Sequence, residues 1–179
     1  MENLQVNNNL ALPVLKPILL SPKFVQRVKG ERLKSDVMLL ITEDDDYVFF
    51  ISGLRDWKEE YKDNPYIVKL HCEEGLDEQG SPKMIEIAKA VDLSAIFKMN
   101  YFDLRNKIIN KNNEVDSLAY LGIKDQIAIV NKVIELLNDN KMIPTLVLIQ
   151  RRKKCLDDES DIKAEVIEEK EKQSTSEVK

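Results

Sequence analysis

Histidine is almost missing from this chain: His71 is the one imidazole among 179 residues, beside two cysteines, five glycines and a single tryptophan. A lone histidine cannot build a His-rich metal centre. Cys72 and Cys155 lie far apart without a CxxC, so they form neither a disulfide framework nor a zinc site. GxSxG, HExxH, the Walker phosphate loop and GxGxxG are all absent. Acyl transfer, zinc hydrolysis, nucleotide hydrolysis and hydride transfer therefore lack their usual signatures. No metal and no cofactor is expected. Long apolar runs are missing too, because Lys16, Asp36 and the acids at 43–46 interrupt every stretch that approaches a membrane span. The first residues carry Glu2 and a run of Asn in place of the basic head of a signal peptide. The expectation is a soluble, cytoplasmic protein with no membrane partner.

What is present is a 43% hydrophobic composition, enough for one core, and a net charge of −5 that is unevenly placed. Residues 155–179 hold nine acids against four bases, which leaves 23 of each in residues 1–154. Within that neutral body, residues 16–34 gather Lys16, Lys23, Arg27, Lys29, Arg32 and Lys34 against Glu31 alone. Such a segment fits a phosphate backbone or, equally, a solvated helix face. The chain divides into a loose extension at 1–14, one domain at 15–156 and a disordered acidic tail at 157–179, within which 161–172 is at most a transient helix.

The pattern predicts a short strand at 15–20, then a helix with Ser21 as N-cap and Pro22 at its first position, ended by Gly30. Residues 37–41 and 47–51 are continuous apolar runs separated by acids, which reads as a hairpin with a solvated turn. Neither run alternates, so both faces of these strands should be covered. Further strands are expected at 66–72 and 84–88, the latter with Glu86 outward. Helices are expected at 101–109 and at 123–138, where Ile127, Val130, Ile134 and Leu137 form an apolar stripe. Residues 146–149 suit either type of element. Strands first and helices later is an α+β order.

One segment places chemistry on a strand end: Ser52-Gly53-Leu54-Arg55-Asp56-Trp57. A strand end fixes the hydroxyl, the glycine admits a substrate, and the guanidinium fits a phosphate. A plain turn with a core tryptophan fits the same letters. His71 stands opposite Leu70 on a predicted strand. The acids at 43–46 lack the spacing of a calcium loop.

Four pieces of this sequence, in order, resemble the ToxN/AbiQ family of endoribonuclease toxins from type III toxin–antitoxin systems. They are residues 16–24 with Ser21, Lys23 and Phe24, residues 47–57, Lys69-Leu70-His71 with nearby Gly75, and residues 84–93. The resemblance spans about residues 16–140. It implies a small, mostly antiparallel β-barrel of the MazF/Kid type with packed helices, and metal-independent cleavage of single-stranded RNA by 2′-hydroxyl attack. It places catalysis on Ser52, Arg55 and Lys34, with Arg32 the rival to Lys34. RNA contact falls to Lys23, Arg27, Lys29, Arg32, Lys58 and His71. The family has a Thr-Ser pair where this chain has Ser52-Gly53, and a lysine where it has Arg55. An arginine keeps the charge but does not readily release a proton. The implied partners are an RNA substrate and a repeat RNA antitoxin, joined in a toxin–RNA oligomer. The competing readings are a MazF-like toxin with a protein antitoxin, and a non-catalytic barrel that binds RNA or protein.

Overall fold

A computed structural model describes residues 12–28, 33–109, 112–151 and 162–167. Its centre is the expected hairpin. Strand β2 (Val37–Asp44) pairs antiparallel with β3 (Tyr47–Leu54). The turn between them carries Asp45 at φ 50°, a left-handed conformation that aspartate tolerates better than most residues. Strand β1 (Pro17–Leu19) lies on the far side of β2, and β3 pairs antiparallel with the long β5 (Ala90–Asn100). Strand β4 (Ile67–Lys69) pairs with the start of β5, and β6 (Thr145–Arg151) runs parallel to its later half. That parallel pairing requires a long crossover. The chain supplies it through α2 (Tyr101–Arg105), α3 (Asn112–Ser117) and α4 (Ile123–Asn138).

The architecture is α+β with a mixed sheet. It is not a closed barrel among the described residues: pairing runs from β1 to β7 (Ile162–Ile167) and does not return, and helix α1 (Pro22–Val28) is what comes against β7.

Continuous apolar strands fit a sheet covered on both sides. Met38, Leu40 and Phe50 join a core with Phe24 of α1, Leu104 of α2, and Val147 and Ile149 of β6. Phe50 and Phe97 stack there at 5.1 Å between centroids. Val37, Leu39 and Ile51 join the second core, with Val91, Leu93, Ile85 and the α4 residues Ile129 and Leu136.

Several expectations need correction. Helix α4 has the predicted bounds but the opposite face inward: Ile127, Val130, Ile134 and Leu137 are exposed, while Ile129 and Leu136 are buried. The chain has two apolar stripes on one helix, and spacing alone does not rank them. Residues 84–88 form no strand; Ile85 packs into the second core, and its N–H donates to the Cys72 carbonyl at 2.7 Å. The strand begins at Ala90 instead. Residues 66–72 yield only β4, and Cys72–Glu74 turn into a 3-10 helix. Residues 146–149 are strand. In the acidic tail, Ile162–Ile167 forms β7, antiparallel to β6. Its sequence alternates apolar and charged residues, a period-2 pattern that suits a strand and not a helix. The expected helix stop at Gly30 lies outside the described residues.

A basic residue has also moved inside. Lys16 is fully buried, its Nζ donating to Glu78 Oε1 at 2.6 Å and to the Val115 carbonyl at 3.0 Å, 4.2 Å from the Tyr120 ring centroid. It ties the Glu78 loop to α3 and Tyr120 and presents no charge to a phosphate.

Candidate functional site

Gly53 decides the local geometry at the end of β3. A Cβ there would stand 2.6 Å from Val37 Cγ1, so the residue is glycine because β2 packs against it, and not to admit a substrate. The chain then leaves the sheet at Leu54 and enters a cleft of about 470 Å³. One wall is α1, through Pro22, Val25 and Gln26; another is the approach to β2, Leu33 to Asp36; the third is Leu54, Arg55, Asp56 and Lys58 with Tyr61. Lys34 shares this cleft with Arg55 and Lys58, which follow it by more than twenty residues.

Each of the first two is held by its own carboxylate. Arg55 donates from Nε and Nη2 to Asp36 at 2.9 and 2.7 Å, a two-point fork that takes two of its five N–H donors. This bonding holds the Asp36 carboxyl below its ordinary range and raises the guanidinium further above neutrality. Lys34 donates to Asp92 Oδ2 at 2.6 Å, with Lys34 about half exposed and Asp92 almost wholly buried.

Asp92 sits where the sheet is irregular. Pairing between β3 and β5 jumps from Phe50↔Phe97 to Ser52↔Asp92, so extra β5 residues bulge at this point. The Ser94 N–H left over by the bulge donates to Asp92 Oδ1 at 2.8 Å. Burial opposes ionisation of Asp92, but the bonds from Lys34 and Ser94 outweigh it, and its pKa is lowered. Asp92 and Asp36 were not singled out from the sequence. The available signal was a carboxylate inside the apolar run 90–97, where an unpaired charge is costly to bury.

Ser52 lies in the ladder opposite Asp92 and Met38. It is buried, does not line the cleft, and its Oγ has no hydrogen-bond partner among the described residues. A buried orphan hydroxyl is uncommon and destabilising.

The remaining expected contacts disperse. Lys23 is on the exposed side of α1, outside the cleft lining. The Arg27 side chain, Lys29 and Arg32 lie outside the described residues. His71 is elsewhere, over the first turn of α4: its backbone N–H and Nδ1 lie 2.8 and 2.7 Å from the two oxygens of the fully buried Asp125. That contact fastens the end of β4 to α4. Among the described residues, no group of three His, Cys, Asp or Glu side chains has the arrangement of a metal site, and no helix is long and apolar enough to cross a membrane.

Compared with protein-family models, curated proteins and solved structures, the chain finds no match.

Proposed function

We propose that this chain is a metal-independent endoribonuclease acting on single-stranded RNA, the toxin of a type III toxin–antitoxin system, held in check by a repeat RNA that occupies the same cleft in a toxin–RNA oligomer. The observation that carries the reading is the convergence of Lys34 and Arg55 on one cleft, each fixed by a carboxylate. The open sheet, on this reading, is a variant of the MazF/Kid barrel in which α1 stands where strands would close.

In the proposed step, the 2′-oxygen attacks the adjacent phosphorus and the bond to the 5′-oxygen breaks. The 2′-proton leaves to a base and the 5′-oxygen gains a proton, giving a cyclic phosphate and a 5′-hydroxyl. Arg55, with its pKa raised, stays charged, so its remaining donors stabilise the phosphorane and move no proton. Lys34 is the ammonium available to protonate the 5′-oxygen. Ser52, the third residue of the catalytic set that the resemblance implies, is paired in the ladder with Asp92, behind the Lys34–Asp92 ion pair. A non-catalytic RNA- or protein-binding role is the second reading, favoured by the fact that both cations are already paired.

The test is RNA cleavage by the purified chain in excess EDTA, with 5′-hydroxyl ends on the products. Arg55→Ala should lower the rate about 10²- to 10³-fold while the melting temperature stays close to the parent's. Cleavage abolished by EDTA and restored by magnesium refutes the mechanism. Full activity in Arg55→Ala removes Arg55 from the reaction, and absence of cleavage by the parent chain returns the cleft to a binding role.

A further inference from the structure

Aromatic rings and lysines alternate on the surface that leads away from the cleft. Tyr61 lines the cleft, and its ring meets Trp57 edge to face at 6.1 Å between centroids. Lys58, also in the lining, holds Nζ 5.7 Å from the Tyr61 centroid, and Lys69 of β4 holds Nζ 5.2 Å from the Trp57 centroid. The sheet explains the proximity. Leu54 and Lys69 both pair with Ala90, from its two sides, so the chain leaving β3 runs out beside β4. Trp57 and Tyr61 are half-buried, and both lysines are exposed.

We infer that this strip is a stacking platform for the bases of single-stranded RNA beside the cleft. The inference rests on the endoribonuclease reading and adds to it a place for the nucleotides that flank the reacting phosphate. An indole or phenol ring gives a base a face without regard to sequence. The lysines do not block that face, because an exposed cation–π contact is weaker than a base stack, and a displaced ammonium finds a phosphate within reach of its stem. Lys69 has no ion-pair partner among the described residues, while Lys58 has only a 3.8 Å contact with exposed Glu60. Asp56, Glu59 and Glu60 keep the strip from being strongly cationic. Affinity here therefore comes more from bases than from phosphates, and its dependence on salt is shallow.

Trp57 is the chain's only tryptophan, so its fluorescence reports on the platform alone. The probe is a short 2′-O-methylated single-stranded RNA, which binds but offers no hydroxyl for cleavage, compared with an abasic strand of equal length. The full oligonucleotide should quench Trp57 and the abasic strand should not. Trp57→Ala should weaken binding about 5- to 150-fold. Trp57→Phe should recover most of the loss, which a merely unfolded variant would not show. Lys69→Gln should reduce the log–log salt slope by about 0.7. Binding without quenching, undiminished affinity in Trp57→Ala, or no binding at all overturns the platform. Cleavage of unmodified RNA is scored separately. An active enzyme with an indifferent Trp57 refutes the platform only, whereas quenching by an inactive chain refutes the nuclease and keeps the platform.

Discussion

Replacing Lys34 with methionine removes the cation from a carboxylate that is only 4% exposed, while the lysine itself is 54% exposed. Breaking a fully buried pair costs about 3–5 kcal/mol, and losing a surface pair about 0–1 kcal/mol. This pair is mixed. Its carboxylate end is inside, its ammonium end is in water, and Asp92 keeps the bond from the Ser94 N–H after the lysine has gone. The expected loss for Lys34→Met is therefore about 1–3 kcal/mol. Asp92→Asn keeps an acceptor for Ser94 and sheds the charge, so it should cost about 1 kcal/mol. The double variant has neither a stranded charge nor a missing partner, and the cycle should give a coupling of about 1–2 kcal/mol by urea unfolding at neutral pH. The pH dependence fixes the sign. The Asp92 pKa is lowered in the fold, so the unfolded chain binds its proton first as pH falls. The pair's stabilisation is complete above the unfolded value, about 3.9, and is lost as pH drops through the lower folded value. Coupling below about 0.4 kcal/mol at neutral pH, or coupling that persists in strong acid, would refute the reasoning.

Ser52→Ala removes a hydroxyl without a partner, so its melting temperature should equal or exceed the parent's; a fall of several degrees would mean that the Oγ is bonded in solution. In α4, Ile129→Ala should cost about 2–5 kcal/mol, whereas Ile127→Ala, on the exposed stripe, should stay within about 1 kcal/mol; equal losses by denaturant melts would reverse the facing of the helix. Lys16→Ala empties a buried site, while Glu78 is 41% exposed and keeps its bond from the Tyr120 hydroxyl, so the loss is that of an emptied core position, about 2–5 kcal/mol, with Lys16→Met less harmful; a neutral Lys16→Ala would show that the lysine is solvated.

The hairpin was legible because its signals agree. Two β-branched and aromatic runs, an acidic turn and the absence of alternation all describe one object, a two-strand unit buried on both faces. Helix α4 was legible in extent and not in facing, because Ile127, Val130, Ile134 and Leu137 repeat as regularly as the buried set. What selects between them is Asp125: its carboxylate is buried at the first turn to receive His71, and this pins that side of the helix to the sheet. The long β5 was missed because Asp92 and Ser94 interrupt its apolar pattern at the bulge.

That interruption is where fold and site meet. Lys34 stands in the basic segment and Arg55 and Lys58 after the second hairpin strand, and one sequence cannot say which cations converge, since convergence depends on the β2–β3–β5 ladder. It also cannot show what holds them. Asp92 breaks the strand rule and Ser52 leaves a hydroxyl unsatisfied, and the two stand opposite each other in the sheet. Local rules broken together in an otherwise consistent core are what the proposed site calls for, a place that trades stability for chemistry. Lys16 and His71 teach the converse. Lys16 belongs to the basic segment and His71 was assigned RNA contact, and both lie outside the cleft, bonded to Glu78 and Asp125. A charge near a motif is informative only with its partner, because the partner decides whether it serves the core or faces a ligand.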